Sequence, residues 1–189
     1  MPDQLKQQMK KYSFLILFLF ARESLFCQDV IISGTNKNRT LTWDDFTGKP
    51  DKSSPFDAHT YWNVNYRYKR VVYVSDTAKI EEPVVILELN KNLSWIKPGR
   101  ETPKLLKHEQ GHFNIGLLCQ KELIDKFKTT TFTRSDFRDK IQLLFKTILD
   151  KYTAMGIKYD DETDHGKNPE KQESWNDFFS GELKTGNSL

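Results

Sequence analysis

The stretch Thr102-Pro103-Lys104-Leu105-Leu106-Lys107-His108-Glu109-Gln110-Gly111-His112-Phe113 decides how the rest of the chain is interpreted. His108 and His112 are four residues apart, so on a helix their imidazoles lie on one face and can bind one metal ion. Glu109 lies beside that face, where its carboxylate can accept a proton from a water molecule. This H-E-x-x-H spacing is typical of zinc peptidases, and it predicts two zinc ligands with Glu109 as the general base.

The flanking residues predict that this stretch is helical. Thr102 is a suitable N-cap and Pro103 a suitable first helical residue, because proline has no N–H to leave unpaired there. At 100° per residue the two histidines and Glu109 fall on the apolar side of the helix, with these residues: Leu105, Phe113, Gly116, Cys119 and Leu123. Burying three ionisable groups without a metal is costly, which favours a metal site over a purely structural helix.

A catalytic zinc site needs a third protein ligand, and several candidates are excluded by position. Glu122 lies on the same helix about 15 Å beyond His112, at 1.5 Å per residue, and Cys119 is excluded on similar grounds. Ile115 and Leu118 occupy the positions at which a metzincin would have glycine and histidine. Asp136 is better explained as a helix cap.

The segment Tyr159–Gly166 is predicted to be a polar loop, and it offers the remaining ligands. His165 is the preferred third ligand, and Gly166 next to it allows a close backbone approach. The alternative third ligands are Asp160, Glu162 and Asp164. Tyr159 is a candidate oxyanion stabiliser, although packing explains a tyrosine there equally well. His59 is interpreted as a surface or hydrogen-bonded histidine.

The order of predicted elements indicates an α+β domain. Strands are predicted in the first half, with period-two alternation from Thr60 to Tyr68 the clearest case. The other extended candidates are Val30–Ile32, Thr40–Phe46, Val71–Ser75 and Val84–Leu89. A second helix starts near the capping pair Thr133 and Asp136 and ends at Gly156, and Asn168-Pro169 opens a third. We therefore expect an N-terminal twisted sheet packed on the H-E-x-x-H helix, followed by two further helices.

Composition is consistent with one globular domain. The chain has 189 residues with 37% hydrophobic content, and its formal net charge is +3. Residues 1–27 account for +2 of that charge, so the remainder gives no electrostatic reason to expect nucleic-acid binding.

The N-terminus has the pattern of an export signal. A basic segment ending at Lys10-Lys11 precedes an apolar run, Phe14–Ala21, that is too short to span a bilayer at about 20 residues. We therefore expect a signal peptide at 1–27, a mature domain at 28–183 and a flexible tail at 184–189, in a periplasmic or extracellular protein. Acylation of Cys27 is a less favoured alternative, and neither reading leaves a membrane span in the mature protein.

The mature chain resembles a bacterial family of predicted secreted zinc-dependent proteases, itself of unknown function. The resemblance rests on Trp43–Gly48, on His108–Phe113 and on the last loop with His165, Gly166 and Gln172. It implies a zincin-like fold, with His108 and His112 as ligands and Glu109 as the base.

These observations predict a zinc peptidase that acts on a peptide or protein substrate. By analogy with zincins, Val84–Leu89 is the predicted edge strand that would hold the substrate. Two other readings stay open: a non-catalytic zinc-binding protein of the cell envelope, and a metal-free interaction domain that exposes the aromatic strand around Trp62 and Tyr66.

Overall fold

A computed structural model describes residues 30–32, 35–36 and 40–184. The predicted signal peptide with Cys27 lies outside the described residues, as does the predicted tail apart from Lys184. The strands are β1 (Val30–Ile32), β2 (Thr35–Asn36), β3 (Ala58–His59), β4 (Trp62–Val74), β5 (Thr77–Leu89), β6 (Trp95–Ile96) and β7 (Phe132–Thr133). The helices are α1 (Pro103–Thr129), α2 (Phe137–Thr163) and α3 (Pro169–Lys184), and Trp43–Asp45 form a 3-10 turn. The predicted α+β class is confirmed.

The main sheet has the strand order β2-β1-β5-β4, with β7 pairing the start of β5. β4 and β5 form a long antiparallel hairpin, in which Trp62 is opposite Leu89 and Val74 is opposite Thr77. The face that carries Val64, Val85 and Leu87 is buried against α1. Gly116 makes that contact close, because a Cβ at this position would lie 2.8 Å from Leu87 and 3.0 Å from the Trp62 ring.

The prediction that Val84–Leu89 is an edge strand was wrong. This segment belongs to β5, which pairs with β4 along its length and with β1 at Leu87–Leu89. Among the described residues, the long strand at an end of this sheet is β4, and the other strands of the sheet with a single partner, β2 and β7, have two residues each. The sequence could not reveal this, because β1 reaches β5 from more than fifty residues earlier in the chain.

The expected extended segment Thr40–Phe46 is a 3-10 turn instead. The buried Asp45 carboxylate accepts a hydrogen bond from the Thr42 N–H at 2.9 Å and pairs with Lys91 at 2.8 Å. Short acidic side chains favour such local bonds to the backbone over strand pairing.

The first helix begins as predicted, since the Thr102 hydroxyl accepts a hydrogen bond from the N–H of Leu105 at 3.1 Å. The third helix also begins as predicted, because the Asn168 side chain accepts the N–H of Lys171 before Pro169 starts the first turn. No helix among the described residues is long and apolar enough to cross a membrane.

The predicted end of the second helix at Gly156 was wrong. α2 continues through Gly156 to Thr163, and the chain turns only at Asp164, His165 and Gly166, which all have left-handed φ angles. Glycine costs a helix only about 1 kcal/mol relative to alanine, and the burial of Tyr159 and Thr163 against α1 and α3 outweighs that cost. Much of the predicted polar loop is therefore the last part of a helix.

Candidate metal centre

Three side chains from two helices converge at the centre of the site. The Nε2 atoms of His108 and His112, on α1, lie 3.1 and 3.0 Å from Oδ1 of Asp160, on α2. The ligand atoms of these three residues all lie within 4.8 Å of one another. The imidazole rings stand almost perpendicular, at 87°, so both aim at the same carboxylate oxygen.

This donor set fits a zinc ion. Zinc bound by nitrogen and oxygen at about 2.1 Å in a tetrahedron separates its ligand atoms by about 3.4 Å, close to the distances in this cluster. Burial alone would raise the pKa of Asp160, but hydrogen bonds from His108 and His112 outweigh it and hold that pKa well below its usual range. The carboxylate is therefore ionised at neutral pH, as a ligand must be.

The structure places the preferred third ligand, His165, at the border of this cluster. Its Nδ1 lies 3.4 Å from the same Asp160 oxygen, and its ring packs at a tilt of 42° against Phe56, with the ring centroids 4.4 Å apart. It is not among the three residues whose ligand atoms converge. The distances favour Asp160, an alternative in the sequence analysis, and a ligand role for His165 stays a prediction.

The other two alternative ligands point elsewhere. Glu162 accepts a hydrogen bond from the Trp175 indole at 2.8 Å, so its carboxylate faces α3. Asp164 caps the end of α2 and is exposed. The sequence did contain a signal for the position of Asp160. It belongs to a helical stripe that continues the α1-facing side of α2 past the glycine: Tyr152, Gly156, Tyr159, Asp160 and Thr163.

Glu109 lies beside the two histidines and is 3% exposed. The Thr60 hydroxyl donates to Glu109 Oε2 at 2.6 Å, which fixes the carboxylate from the side opposite α2. The sequence analysis did not single out Thr60. Its only signal was the alternation that places Thr60 on the same strand face as Trp62 and Val64, toward α1.

Tyr159 lies behind His108 rather than in the cleft. Its ring stacks on the His108 ring at 4.8 Å, and its hydroxyl donates to the main-chain oxygen of His108 at 3.0 Å. Gly111 permits this approach, because a Cβ there would lie 2.1 Å from the hydroxyl. Burial raises the pKa of Tyr159. An oxyanion-stabilising role stays a prediction that this placement does not favour.

Gln172 of α3 determines which nitrogen of His108 carries the proton. Because a carbonyl oxygen only accepts, the Tyr159 hydroxyl must donate to His108 and must itself accept from Gln172 Nε2, at 2.7 Å. The amide oxygen of Gln172 then faces Nδ1 of His108 at 3.1 Å and accepts a hydrogen bond from its N–H. With Nδ1–H bonded to Gln172, His108 donates to Asp160 only when Nε2 also carries a proton, and without that proton it presents the lone pair of Nε2 to the carboxylate.

Gly166 allows the turn after α2 to pack closely against His108. Its φ is +77°, and a Cβ at this position would lie 3.0 Å from Cβ of His108. The close backbone approach expected at Gly166 is confirmed, with His108 as the side chain approached.

The cluster lies at the floor of a cleft with a volume of about 800 Å³. One wall is the start of β4, and the other is the half of α2 that follows Leu149. His59 lines the edge of the cleft. Desolvation lowers the pKa of His59, although the negative charge of Glu109 acts to raise it. Its position near Glu109 and His112 makes it part of the site, which the sequence analysis did not anticipate.

Residues 34–166 match the family model described as "Bacterial protein of unknown function (DUF922)". The chain belongs to this family. No curated protein and no solved structure matches the chain.

The segment matched to the DUF922 family contains the convergent residues His108, His112 and Asp160, together with Glu109 and Thr60. The match ends at Gly166, before α3 begins. Gln172, which fixes the His108 tautomer, is thus supplied by a segment that follows the matched region.

Proposed function

We propose that this member of the DUF922 family is an exported zinc-dependent peptidase. The observation that carries the proposal is the pair of acceptors at the centre of the site. Gln172 accepts a hydrogen bond from Nδ1–H of His108, so a His108 ring with one proton turns the lone pair of Nε2 toward the Asp160 carboxylate at 3.1 Å. Two acceptors this close require a cation between them, either a proton or a metal ion.

His108, His112 and Asp160 would hold the zinc ion. Zinc bound there would lower the pKa of a water molecule and polarise a substrate carbonyl. Glu109 accepts the proton of the attacking water and returns it to the leaving amine, and Thr60 keeps the carboxylate aligned for both transfers. A buried base held by a 2.6 Å hydrogen bond loses little freedom when the substrate binds.

The open edge of β4 supports a peptide as the substrate. Tyr61 accepts the N–H of Asn90 across the hairpin, so the alternation of antiparallel pairing turns the backbone groups of Trp62 and Val64 away from β5. Both residues line the cleft beside Glu109. An extended peptide can pair with these groups and bring a carbonyl to the site.

Export is the part of the proposal that rests on sequence alone. The basic and apolar segments of residues 1–27 have the order of a secretory signal. A zinc site that closes between two helices also needs no disulfide. The sequence has two cysteines, Cys27 and Cys119, and Cys119 is buried in the core with its thiol free.

The test is zinc content and peptide hydrolysis of the purified protein and of four variants, at Glu109, Asp160, Asp164 and His165. Glu109→Gln should keep its zinc and lose at least about 100-fold in kcat, because the base is removed and the ligands are intact. Asp160→Ala should lose zinc, whereas the matched control Asp164→Ala, on the same turn but exposed, should not.

The variants separate the proposal from its alternatives. Zinc binding with no hydrolysis would contradict the peptidase and favour a metal that joins α1 to α2 for stability. Full activity in Glu109→Gln would contradict the mechanism. Unchanged zinc affinity in Asp160→Ala, together with loss in His165→Ala, would restore His165 as the third ligand.

A further inference from the structure

The residues that line the cleft have a definite order along α1. Lys104, which lines the cleft, is one turn before His108. Gly116, one turn after His112, does not line the cleft itself but packs close to the ring of Trp62, which does. At 1.5 Å per residue each lies about 6 Å from the nearer histidine, on opposite sides of the centre. The cleft therefore extends in two directions from the site, and its two ends differ in chemistry.

The end at the start of α1 is basic. Arg100, Lys104 and Lys167 line it, and Asp57 is the one carboxylate that lines it besides those of the centre. Asp57 lies 3.5 Å from Arg100 Nε, and both side chains are exposed. Among the described residues neither lysine pairs with a carboxylate, and the Lys104 ammonium contacts only the main-chain oxygen of Lys167, at 3.4 Å. The nearby acids Glu101 and Asp164 do not line the cleft.

Side-chain contacts connect this basic end to the centre. Asp57 adjoins Phe56, whose ring packs against His165 with the centroids 4.4 Å apart, and His165 Nδ1 lies 3.4 Å from Asp160 Oδ1. The basic end therefore adjoins the centre of the site.

The opposite end is apolar. Trp62 and Val64 form one wall, and Leu149 and Ile157 form the other. Ile157 is 61% exposed, so its side chain is accessible to a ligand in the cleft.

We propose that the cleft selects peptides with a bulky apolar side chain on one side of the scissile bond and a carboxylate on the other. The inference rests on the peptidase function. Because an extended peptide advances about 3.3 Å per residue, both groups lie within about two residues of the bond. The carboxylate is either the C-terminus of the peptide or an Asp or Glu side chain.

The experiment measures binding separately from cleavage. Zinc-loaded Glu109→Gln protein is titrated into labelled peptides that share one bulky apolar residue. In the first pair, the residue two positions after the apolar residue is Glu in one peptide and Gln in the other. In the second pair, one peptide ends in a free carboxylate and the other in an amide. We expect the acidic member of at least one pair to bind about tenfold more tightly, and the pair that responds identifies the source of the carboxylate.

Substitutions in the protein should remove this preference. The double substitution Lys104→Ala and Lys167→Ala, made in the Glu109→Gln protein, should abolish the difference in affinity between the acidic and the neutral peptide of the responding pair. Each ammonium group should account for about threefold in affinity. The control Lys171→Ala, also exposed but outside the cleft, should preserve it. Ile157→Ser should weaken binding of peptides with the apolar residue, and Leu143→Ser, on the same helix with 64% exposure, should not.

The inference and the peptidase function fail in different ways. Equal binding of both members in both pairs, or a preference that survives in the double lysine variant, would overturn the inference. Hydrolysis by the unaltered protein without any preference for acidic peptides would overturn it too and leave the peptidase standing. Charge-dependent binding without hydrolysis would support the inference and refute the peptidase.

Discussion

Replacing Gln172 with leucine should weaken zinc binding although residue 172 would not touch the metal. Gln172 is 5% exposed, and its amide contacts His108 Nδ1 at 3.1 Å, the Tyr159 hydroxyl at 2.7 Å and Asn176 at 3.2 Å. Leucine has a similar volume but leaves the imidazole N–H without its acceptor. The His108 ring is then free to adopt the other tautomer, which places a proton on the nitrogen that must bind zinc.

The magnitude follows from the number of groups left unpaired. Each buried polar group without a partner costs about 1–3 kcal/mol, and the substitution leaves the His108 N–H unpaired and weakens the bonding of the Tyr159 hydroxyl. We expect a loss of about 2–4 kcal/mol in the free energy of unfolding of the metal-free protein. Zinc affinity should fall about 10- to 100-fold, the usual effect of removing a hydrogen-bond partner of a ligand.

Two assays and two control variants make this prediction specific. Urea unfolding in the presence of a chelator gives the stability, and competition with a chromogenic chelator gives the zinc affinity. Gln172→Glu keeps an acceptor opposite Nδ1 of His108 and should retain zinc affinity. Glu173→Gln removes a mostly exposed ion pair with Lys107 on the same two helices, and it should change neither quantity by more than about 0.5 kcal/mol. A folded Gln172→Leu protein with unaltered zinc affinity would refute the reasoning.

Three other predictions follow from the same contacts. Thr60→Val removes the hydroxyl that holds Glu109, so kcat for peptide hydrolysis should fall about tenfold with zinc content unchanged, and an equal loss of zinc would contradict this role. Gly111→Ala places a methyl group against the Tyr159 hydroxyl, so the free energy of unfolding measured in urea should fall by about 3 kcal/mol or more. Gly156→Ala, which has open space around it, should raise that free energy by about 0.5–1 kcal/mol. Chelation should lower the melting temperature of the zinc-loaded protein, and addition of zinc should restore it; a melting temperature insensitive to chelator would contradict a bound metal.

Local sequence rules predicted the parts of the fold that depend on neighbouring residues. Thr102-Pro103 and Asn168-Pro169 start their helices where expected, because a cap and a fixed proline φ act within one turn. Period-two alternation placed Trp62 and Val64 on the buried face of β4. The strand order and the identity of the edge strand depend on contacts between distant segments, which no local pattern encodes.

The third ligand illustrates the same limit within the site. Gly156 predicted a helix end, and that expectation turned the following residues into a loop in which histidine was the obvious ligand. The decisive quantity was instead the burial of Tyr159 and Thr163, at 0% exposure each, which holds the helix together past the glycine. With α2 helical at this point, Asp160 lies on the face toward α1, and His165 falls beyond the turn.

The assembled site depends on all three helices. α1 supplies His108 and His112, α2 supplies Asp160, and α3 fixes the tautomer of the first histidine through Gln172. α3 packs on α1 and α2 only when the chain after Gly166 has folded back. A protein truncated after Gly166 should therefore keep the three ligand residues but lose Gln172, which holds the His108 proton on Nδ1 and leaves Nε2 free to bind the metal. Zinc affinity of such a truncated protein should therefore fall at least as far as that of Gln172→Leu. Equal affinity in the truncated and full-length proteins would show that α1 and α2 alone are sufficient to define the centre.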